Sequence, residues 1–96
     1  MGKIIWSPSS LEDIESIAEY ISRDSKDQAA LFILRLIEIT DRLEQFPLSG
    51  RIIPEIGNSS CREIIYKSYR IMYRIEDKEI WITGIIHCSR DWKPEK

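Results

Sequence analysis

The sequence predicts a two-layer α+β domain, in which an antiparallel pair of helices packs on one face of a small sheet. Two segments before residue 47 carry apolar residues at the three- and four-residue spacing of amphipathic helices. Three segments after residue 60 are instead typical of strands joined by tight turns. A helical pair and a sheet with one apolar face each need cover, so packing one against the other accounts for both patterns.

The first strand and the first helix are predicted from the N-terminal segment. Lys3 to Trp6 is short, apolar and followed by Ser-Pro, which is typical of a strand that ends in a turn. A helix is then expected to begin at Ser9, because Ser9 and Glu12 fit a capping box in which each side chain accepts a backbone N–H. The apolar stripe of this helix consists of Leu11, Ile14, Ile17, Ala18 and Ile21.

The second helix is expected to begin after Ser25, where Ser25 and Gln28 repeat the capping pattern. It ends by Phe46, because Pro47 disfavours helical geometry in the residue before it. A short polar loop joins the two helices, so they should form an antiparallel hairpin. The apolar stripe of the second helix consists of Ala29, Phe32, Ile33, Leu36, Ile37, Thr40 and Leu43.

Proline, glycine and serine mark residues 47–60 as an irregular connection, and three strands are expected after it. Lys67-Ser68 and Asp77-Lys78 are the tight links between them, so the strands should form an antiparallel meander. We expect the whole chain, residues 1–96, to form a single domain. The predicted strands are Arg62 to Lys67, Tyr69 to Glu76 and Glu79 to His87.

Composition limits the classes of function that this chain can have. Of its 96 residues 43% are hydrophobic and 31% are charged, and the formal net charge of -2 disfavours a uniformly basic nucleic-acid binder. No apolar run approaches the ~18 residues of a membrane span, and the first residues lack the apolar core of a secretory signal. We therefore expect a cytoplasmic protein without a membrane partner. The two cysteines lie in no metal-ligand spacing, and we expect neither a metal nor a cofactor.

The candidate functional surface lies on the strand from Tyr69 to Glu76. Tyrosine and isoleucine alternate there with Arg70, Arg74 and other polar or flexible residues. The apolar face should therefore contact the helices, and Arg70 and Arg74 should face outward. Residues 61–96 carry eight basic and six acidic side chains, which allows a local basic face on this part of the chain.

Two interpretations of these basic residues remain open. In the first, they form an anion-binding or RNA-cleaving surface, because a guanidinium matches phosphate geometry and a histidine can move a proton near neutral pH. In the second, the arginines neutralise carboxylates such as Glu55, Glu63 and Asp91, and the histidine only completes a hydrogen bond. The residues concerned are Arg51, Arg62, Arg70, Arg74, His87 and Arg90.

Seven short motifs between residues 6 and 91 are informative through their order and spacing. They are W-S-P-S-S-L-E-D-I at 6–14, Y-I at 20–21, L-E-Q-F-P-L-S-G-R at 43–51, P-E at 54–55, R-E-I at 62–64, Y-R-I-M-Y-R at 69–74 and H-C-S-R-D at 87–91. With them the chain resembles the RelE/ParE superfamily of type II toxin–antitoxin toxins, and most closely its ParE-like and plasmid-stabilisation branch. The resemblance implies a small sheet backed by a helical hairpin, which agrees with the periodicity.

The resemblance also implies a function and partners. Such a toxin arrests growth when free and is neutralised by a cognate antitoxin, with which it can form a hetero-oligomer. ParE-like members inhibit DNA gyrase, whereas RelE-like members enter the ribosome and cleave mRNA. We expect a ParE-like gyrase inhibitor, because an acidic pI of about 5.4 fits poorly with docking on ribosomal RNA. A ribosome-dependent mRNA endoribonuclease and a non-toxic binding protein of the same fold are the alternatives.

The two mechanisms give different roles to the same side chains. For RNA cleavage the resemblance makes His87 the general acid or base and Arg70 and Arg74 the groups that stabilise the phosphorane charge, with Arg90 beside them. The tail has Trp92 as its only aromatic residue, and an indole cannot donate a phenolic proton. The antitoxin is expected to cover the outward helix faces and an open sheet edge. The candidates for target or anion binding are Arg51, Arg62, Arg70, Arg74 and Trp92.

Overall fold

The computed structural model describes residues 2–94 as a five-stranded sheet with two helices on one face. The strand order is β1-β5-β4-β3-β2, with β1 parallel to β5 and the other neighbours antiparallel. The predicted α+β architecture is confirmed, and the sequence pattern misses only β2 and a 3-10 turn. In chain order the elements are β1 (Lys3–Trp6), α1 (Pro8–Ser22), α2 (Lys26–Asp41), the 3-10 turn (Arg42–Glu44), β2 (Arg51–Ile52), β3 (Cys61–Tyr66), β4 (Tyr69–Glu76) and β5 (Glu79–His87).

The N-cap of the first helix lies two residues before the predicted one. Ser7, and not Ser9, is the N-cap, since its hydroxyl accepts a hydrogen bond from the Ser10 N–H at 3.1 Å. Pro8 then occupies the first helical position, where the absence of an N–H costs nothing because the first turn has no partner for it. The predicted cap of α2 is confirmed, because the Ser25 hydroxyl accepts from the backbone N–H of Gln28 at 3.1 Å.

The main core lies between the sheet and the helices. Ile71, Tyr73 and Ile82 of the two central strands are fully buried, and α2 contributes Phe32 and Leu36. Each such side chain contributes about 1.5–3 kcal/mol through burial, so this layer supplies most of the folding free energy. No helix within residues 2–94 is long and apolar enough to cross a membrane.

The C-terminal half of β5 has an edge that α1 closes. The register between β4 and β5 shifts between Met72 and Tyr73, which leaves Thr83 as an extra residue in a β-bulge. Among residues 2–94, no strand lies beside this part of β5 beyond the end of β1. Instead, the Asp13 carboxylate accepts a hydrogen bond from the Ile85 N–H at 3.0 Å. A side chain of α1 thus replaces the missing strand partner and holds α1 against β5.

The connection before β2 is anchored in the core by a tyrosine hydroxyl. The Tyr73 hydroxyl donates to the Pro47 carbonyl at 2.6 Å and accepts from the Gly50 N–H at 3.0 Å. A Cβ at Gly50 would lie 2.7 Å from the Glu63 carbonyl oxygen, so only glycine allows this close approach. The link fixes where β2 begins, and therefore where the loop after it lies.

Candidate functional site on the outer face of the sheet

The face of the sheet turned away from the helices, which we call the outer face, carries three of the predicted arginines, Arg51, Arg70 and Arg74. Because side chains alternate along a strand, the burial of Ile71 and Tyr73 against the helices places Arg70, Met72 and Arg74 on the outer face. The predicted direction of the two faces of β4 is therefore confirmed. The two arginines nevertheless differ in exposure, and this difference determines what each can bind.

A second apolar cluster covers part of the outer face. Ile53, Met72 and Ile86 are buried there, and Cys61 and Trp92 pack against them. Ile53 belongs to the loop after β2, and Trp92 belongs to the C-terminal tail. Both segments therefore lie over the strands, and the outer face is a partly closed surface rather than an open sheet.

Arg70 forms the centre of a buried ion-pair network on this face. Its Nε donates to Glu63 Oε1 at 2.6 Å, and its two terminal nitrogens donate to the two carboxylate oxygens of Glu55 at 2.8 and 2.7 Å. The Arg70 side chain is 9% exposed and that of Glu63 is 0% exposed. The Arg70 guanidinium lies on the outer face as expected but is not free, and neutralisation by Glu55 and Glu63 is the interpretation that holds for it.

The pairing of Arg70 with Glu55 favours the charged forms of both groups. The hydrogen bond from Arg70 lowers the pKa of Glu55 to about 2, from an ordinary value of 4.5. The hydrogen bond to Glu55 in turn raises the pKa of Arg70 above its already high ordinary value. The Arg70 guanidinium also lies over the Trp92 ring, 5.7 Å from its centroid. Arg70 thus connects β4 with the loop after β2, with β3 and with the tail.

The other arginines of the sheet are partly committed as well. Arg51 pairs with the second carboxylate oxygen of Glu63 at 2.6 Å, but its side chain is 60% exposed. Arg62 donates to backbone carbonyls of the two loops that flank β2, at 2.9 Å each, and so holds these loops together. Arg74 pairs with Glu76 at 2.8 Å on the surface. Arg51 and Arg74 therefore keep the exposure that contact with a partner requires.

His87 stands apart from Arg70 and Arg74. It is paired with Tyr69 in the β4–β5 register, so its ring lies on the helix-facing side, 5.3 Å from the Tyr69 ring. Its Nδ1 accepts from the Ser89 N–H at 3.1 Å and lies 2.7 Å from the Ser89 hydroxyl. The structure brings Arg51, Arg70 and Arg74 together on the outer face, whereas Arg62 lies on the helix-facing side beside Tyr73. His87 is separated from these arginines and lines a cavity of about 300 Å³ with Arg90.

A cavity of about 730 Å³ opens between the loop after β2, the tail and the outer face. Arg74, Arg90 and Lys93 contribute its basic groups, and Asp13 and Asp91 its acidic ones. Arg90 forms no ion pair within residues 2–94. In the same range, no three His, Cys, Asp or Glu side chains are placed to hold a metal ion. The free positive charge of the site thus lies at the tail, not on β4.

Sequence reasoning does not identify three residues that shape this site, namely Asp13, Gly50 and Tyr73. Asp13 reaches the edge of β5, and Tyr73 anchors the loop before β2 through Gly50. Burial raises the pKa of Tyr73, so its hydroxyl remains a neutral donor and acceptor. The only signal in the sequence is the glycine of the L-E-Q-F-P-L-S-G-R motif, which indicates a close approach but not the tyrosine that makes it.

The mixed sheet backed by a helical hairpin, with arginines on its uncovered side, defines a small α+β toxin of the RelE/ParE class. The family of the ParE toxin of type II toxin–antitoxin systems, parDE, matches residues 4–92, and the chain belongs to this family. The resemblance inferred from the seven motifs is thereby confirmed. Because ParE toxins are paired with antitoxins, family membership implies an antitoxin partner.

Individual relatives agree with this assignment. The Y4kP protein of Sinorhizobium fredii is 31% identical over 93 residues, which cover 94% of this chain and 92% of the relative. Toxin RelE2 of Caulobacter vibrioides is 30% identical over 91 residues, 94% of this chain and 99% of that toxin. A structure from the chromosomal ParDE system of P. aeruginosa has the same fold, with a TM-score of 0.74 and 20% identity over 91% of this chain and 96% of that chain.

Proposed function

We propose that this toxin inhibits growth by binding a protein target, DNA gyrase, and that a cognate antitoxin neutralises it. The observation that carries the proposal is the state of Arg70. Two carboxylates already occupy its guanidinium, and the side chain is 9% exposed. A group in this state supports the fold of the outer face, because its charge is already neutralised and its side chain is too buried to act as a free phosphate-binding group.

The placement of His87 supports binding over cleavage. RNA cleavage by attack of the 2′-hydroxyl requires a general base within hydrogen-bond reach of the hydroxyl and a cation at the same phosphate. His87 shares a face with Tyr69, whereas Arg70 and Arg74, the groups expected to stabilise the phosphorane, lie on the other face of the sheet. Arg90 is the predicted arginine that lines a cavity with His87. The choice of gyrase as the target rests on the ParE family, since the fold is compatible with several protein targets.

Expression of the lone chain from an inducible promoter tests the proposal. DNA, RNA and protein synthesis are measured separately within minutes of induction, and the purified chain is incubated with gyrase and supercoiled plasmid. We expect DNA synthesis to stop first and cleaved gyrase–DNA complexes to accumulate. The His87→Ala variant should arrest growth as wild type does. Early loss of translation, or no growth arrest at all, would contradict gyrase inhibition.

The cavity beside the tail favours one alternative, a ribosome-dependent mRNA endoribonuclease. Arg74, Arg90 and Lys93 surround it, and basic side chains are the groups that contact RNA phosphates. This alternative expects cuts at defined codon positions in translated mRNA, and a loss of these cuts in His87→Ala. Intact mRNA during growth arrest would eliminate it.

A further inference from the structure

The last part of β5 leaves one backbone edge open. β1 ends before it reaches this part of β5, and Asp13 accepts from the Ile85 N–H there. The Cys88 N–H donates to the Ser68 carbonyl on the side of β4. Because these groups alternate along a strand, the His87 N–H and the Ile85 carbonyl point away from β4. Neither group has a hydrogen-bond partner in the part of the chain that the structure describes.

A cavity of about 300 Å³ lies at this open edge, and we call it the β5 cavity. Ile85 and His87 line it on the side of the sheet, and α1 lines it on the other side. Ile17, Tyr20 and Tyr69 supply apolar surface to it. The β5 cavity therefore offers a backbone donor, the His87 N–H, beside a wall on which an apolar group can pack.

Two side-chain donors belong to the β5 cavity as well. Arg90 lines it, is exposed, and forms no ion pair within residues 2–94. The Nδ1 of His87 accepts from the Ser89 N–H at 3.1 Å, so the proton of the neutral ring is on Nε2, which is left to donate to a ligand. Asp13, the carboxylate that faces them, already accepts from the Ile85 N–H at 3.0 Å. The available groups are mainly donors, and this combination suits an anion.

A β-bulge places His87 at this cavity. Ile82 faces the helices before the bulge, and Ile85 and His87 do so after it. The extra residue, Thr83, therefore changes the face of every later side chain of β5. Its carbonyl accepts from the Ser9 hydroxyl of α1 at 3.2 Å, which helps to hold the bulge in place. Bulges that re-aim side chains in this way are frequent beside functional sites.

The charges around the β5 cavity favour a single carboxylate over a nucleic acid. Ser16 lines the cavity, and Glu12 and Glu19 lie one turn before it and one turn after it on α1. Residues 8–25 contain five acidic side chains and one basic side chain, Arg23, which is paired with Glu19 at 4.0 Å. A strand of phosphates laid along the cavity would meet these carboxylates, whereas a group with one charge stays among the donors.

We propose that the β5 cavity binds a carboxylate that a protein partner presents, either at its C-terminus or on an aspartate or glutamate side chain. The carboxylate accepts from the His87 N–H and from the Arg90 guanidinium, and the ring Nε2 is a third donor. The N–H of the same partner residue donates to the Ile85 carbonyl, as a residue of a parallel strand does. The site lies apart from the outer face and goes beyond the proposed function, because it does not depend on whether the target is gyrase.

Three short peptides test the proposal on the purified full chain. Acetyl-alanyl-leucine carries a C-terminal carboxylate, acetyl-alanyl-leucinamide is its neutral counterpart, and acetyl-aspartyl-leucinamide carries a carboxylate on a side chain. His87 is the only histidine of the chain, so its ring gives one set of NMR signals. We expect saturable shifts of these signals with at least one of the two acids, and binding of the neutral peptide about tenfold weaker. The better of the two acids identifies the source of the carboxylate.

The backbone amide of His87 separates a bound carboxylate from loose charge attraction. A hydrogen bond to the ligand should slow the exchange of this N–H with solvent about tenfold at saturation. A diffuse layer of anions around Arg90 would leave the exchange rate unchanged. The neutral peptide is the control at the same concentration.

Matched variants of the tail locate the site. Arg90→Gln removes the guanidinium from the β5 cavity and should weaken binding of the acid about tenfold. Lys93→Gln removes the same charge from the same tail, but Lys93 lines the larger cavity and not this one, so binding should be unchanged. Both side chains are exposed, and the dispersion of the amide signals checks that each variant is folded.

Four outcomes would overturn the proposal. These are equal binding of the acids and the neutral peptide, unchanged exchange of the His87 amide, an equal loss in Arg90→Gln and Lys93→Gln, and binding of inorganic phosphate as tight as that of the acids. The measurements need neither gyrase nor growth arrest, so their failure is distinguishable from failure of the proposed function.

Discussion

The two faces of β4 are stabilised in opposite ways. On the helix-facing side, Ile71 and Tyr73 are completely buried among apolar neighbours. On the outer face, Arg70 is nearly as buried, but two carboxylates and an indole ring surround it. The comparison teaches that an arginine on the side of a sheet that faces away from the helices can stabilise the fold rather than bind a ligand. It also shows why the loop after β2 and the tail lie where they do.

The energetic consequences of the two kinds of burial differ. Apolar burial contributes to stability in proportion to area, whereas a buried ion pair contributes little net free energy and is costly only when broken. Removing one member of a buried ion pair on the outer face should therefore lower the free energy of unfolding by more than the lost hydrogen bonds alone, because the other charge stays buried without a partner. Removing both members should restore much of this loss.

The largest expected effect is that of Arg70→Met, which leaves the fully buried Glu63 carboxylate without its main partner. We expect a loss of about 3–5 kcal/mol in the free energy of unfolding, measured by urea denaturation. The double variant Arg70→Met with Glu63→Met removes both charges and should recover much of this loss. If the double variant were less stable than the single one, the ion pair itself would contribute net stability to the outer face.

A smaller effect is expected from Tyr73→Phe on the helix-facing side. It keeps the ring in the core but leaves the Gly50 N–H without its acceptor and the Pro47 carbonyl without its donor. We expect a loss of about 1–3 kcal/mol in thermal or urea denaturation. Tyr20→Phe is the control, because Tyr20 is 65% exposed and should tolerate the change. Equal stability of the Tyr73 variant and wild type would mean that water replaces the anchor.

The pH dependence of stability distinguishes the faces further. The pKa of Glu55 is about 2 in the folded protein, below its ordinary value of 4.5, mainly because Arg70 donates to it. A depressed folded pKa stabilises the fold above about pH 4.5, and this contribution is lost as the pH falls towards 2. Glu55→Gln removes the titrating group, so its stability should decline less steeply across this window. Parallel pH profiles of the two proteins would contradict the assignment.

The smallest expected effect concerns the surface pair of Arg74 and Glu76, whose side chains are 45% and 49% exposed. Arg74→Gln should change the free energy of unfolding by less than about 1 kcal/mol, because exposed ion pairs contribute little. Thermal denaturation checks this expectation. Any change in growth arrest by this variant then reports on contact with the target. A large loss of stability would instead place Arg74 in the structural network.

Local patterns predict the elements of this fold well. The bounds of β1, β4 and β5 agree with the structure, because alternation along a strand is visible in the residues themselves. β3 begins and ends one residue earlier than predicted, at Cys61 and Tyr66. β2 has two residues, too few for any alternation. For α1, the capping-box pattern of Ser9 and Glu12 predicts a start at Ser9, but the structure uses Ser7, before Pro8, as the N-cap.

The candidate site was less accessible to prediction, for a physical reason. Whether Arg70 is free depends on Glu55 and Glu63, which are 15 and 7 residues away in sequence. Their approach depends on the β3–β4 register and on the course of the loop after β2, and neither is encoded in local spacing. The same holds for His87, whose face follows from the bulge and register of β5. Sequence names the charged residues, but the tertiary fold decides which of them remain available.

The parallel pairing of β1 with β5 has a consequence for how the toxin is made. Lys3 to Trp6 pairs with residues 79–82, so the first strand has no neighbour until both helices and three further strands have been synthesised. Contacts this distant in sequence form late in folding, because the intervening chain must first be ordered. A nascent chain that stops short of β5 therefore lacks the strand between β1 and β4, and the sheet can close only after β5 has been synthesised.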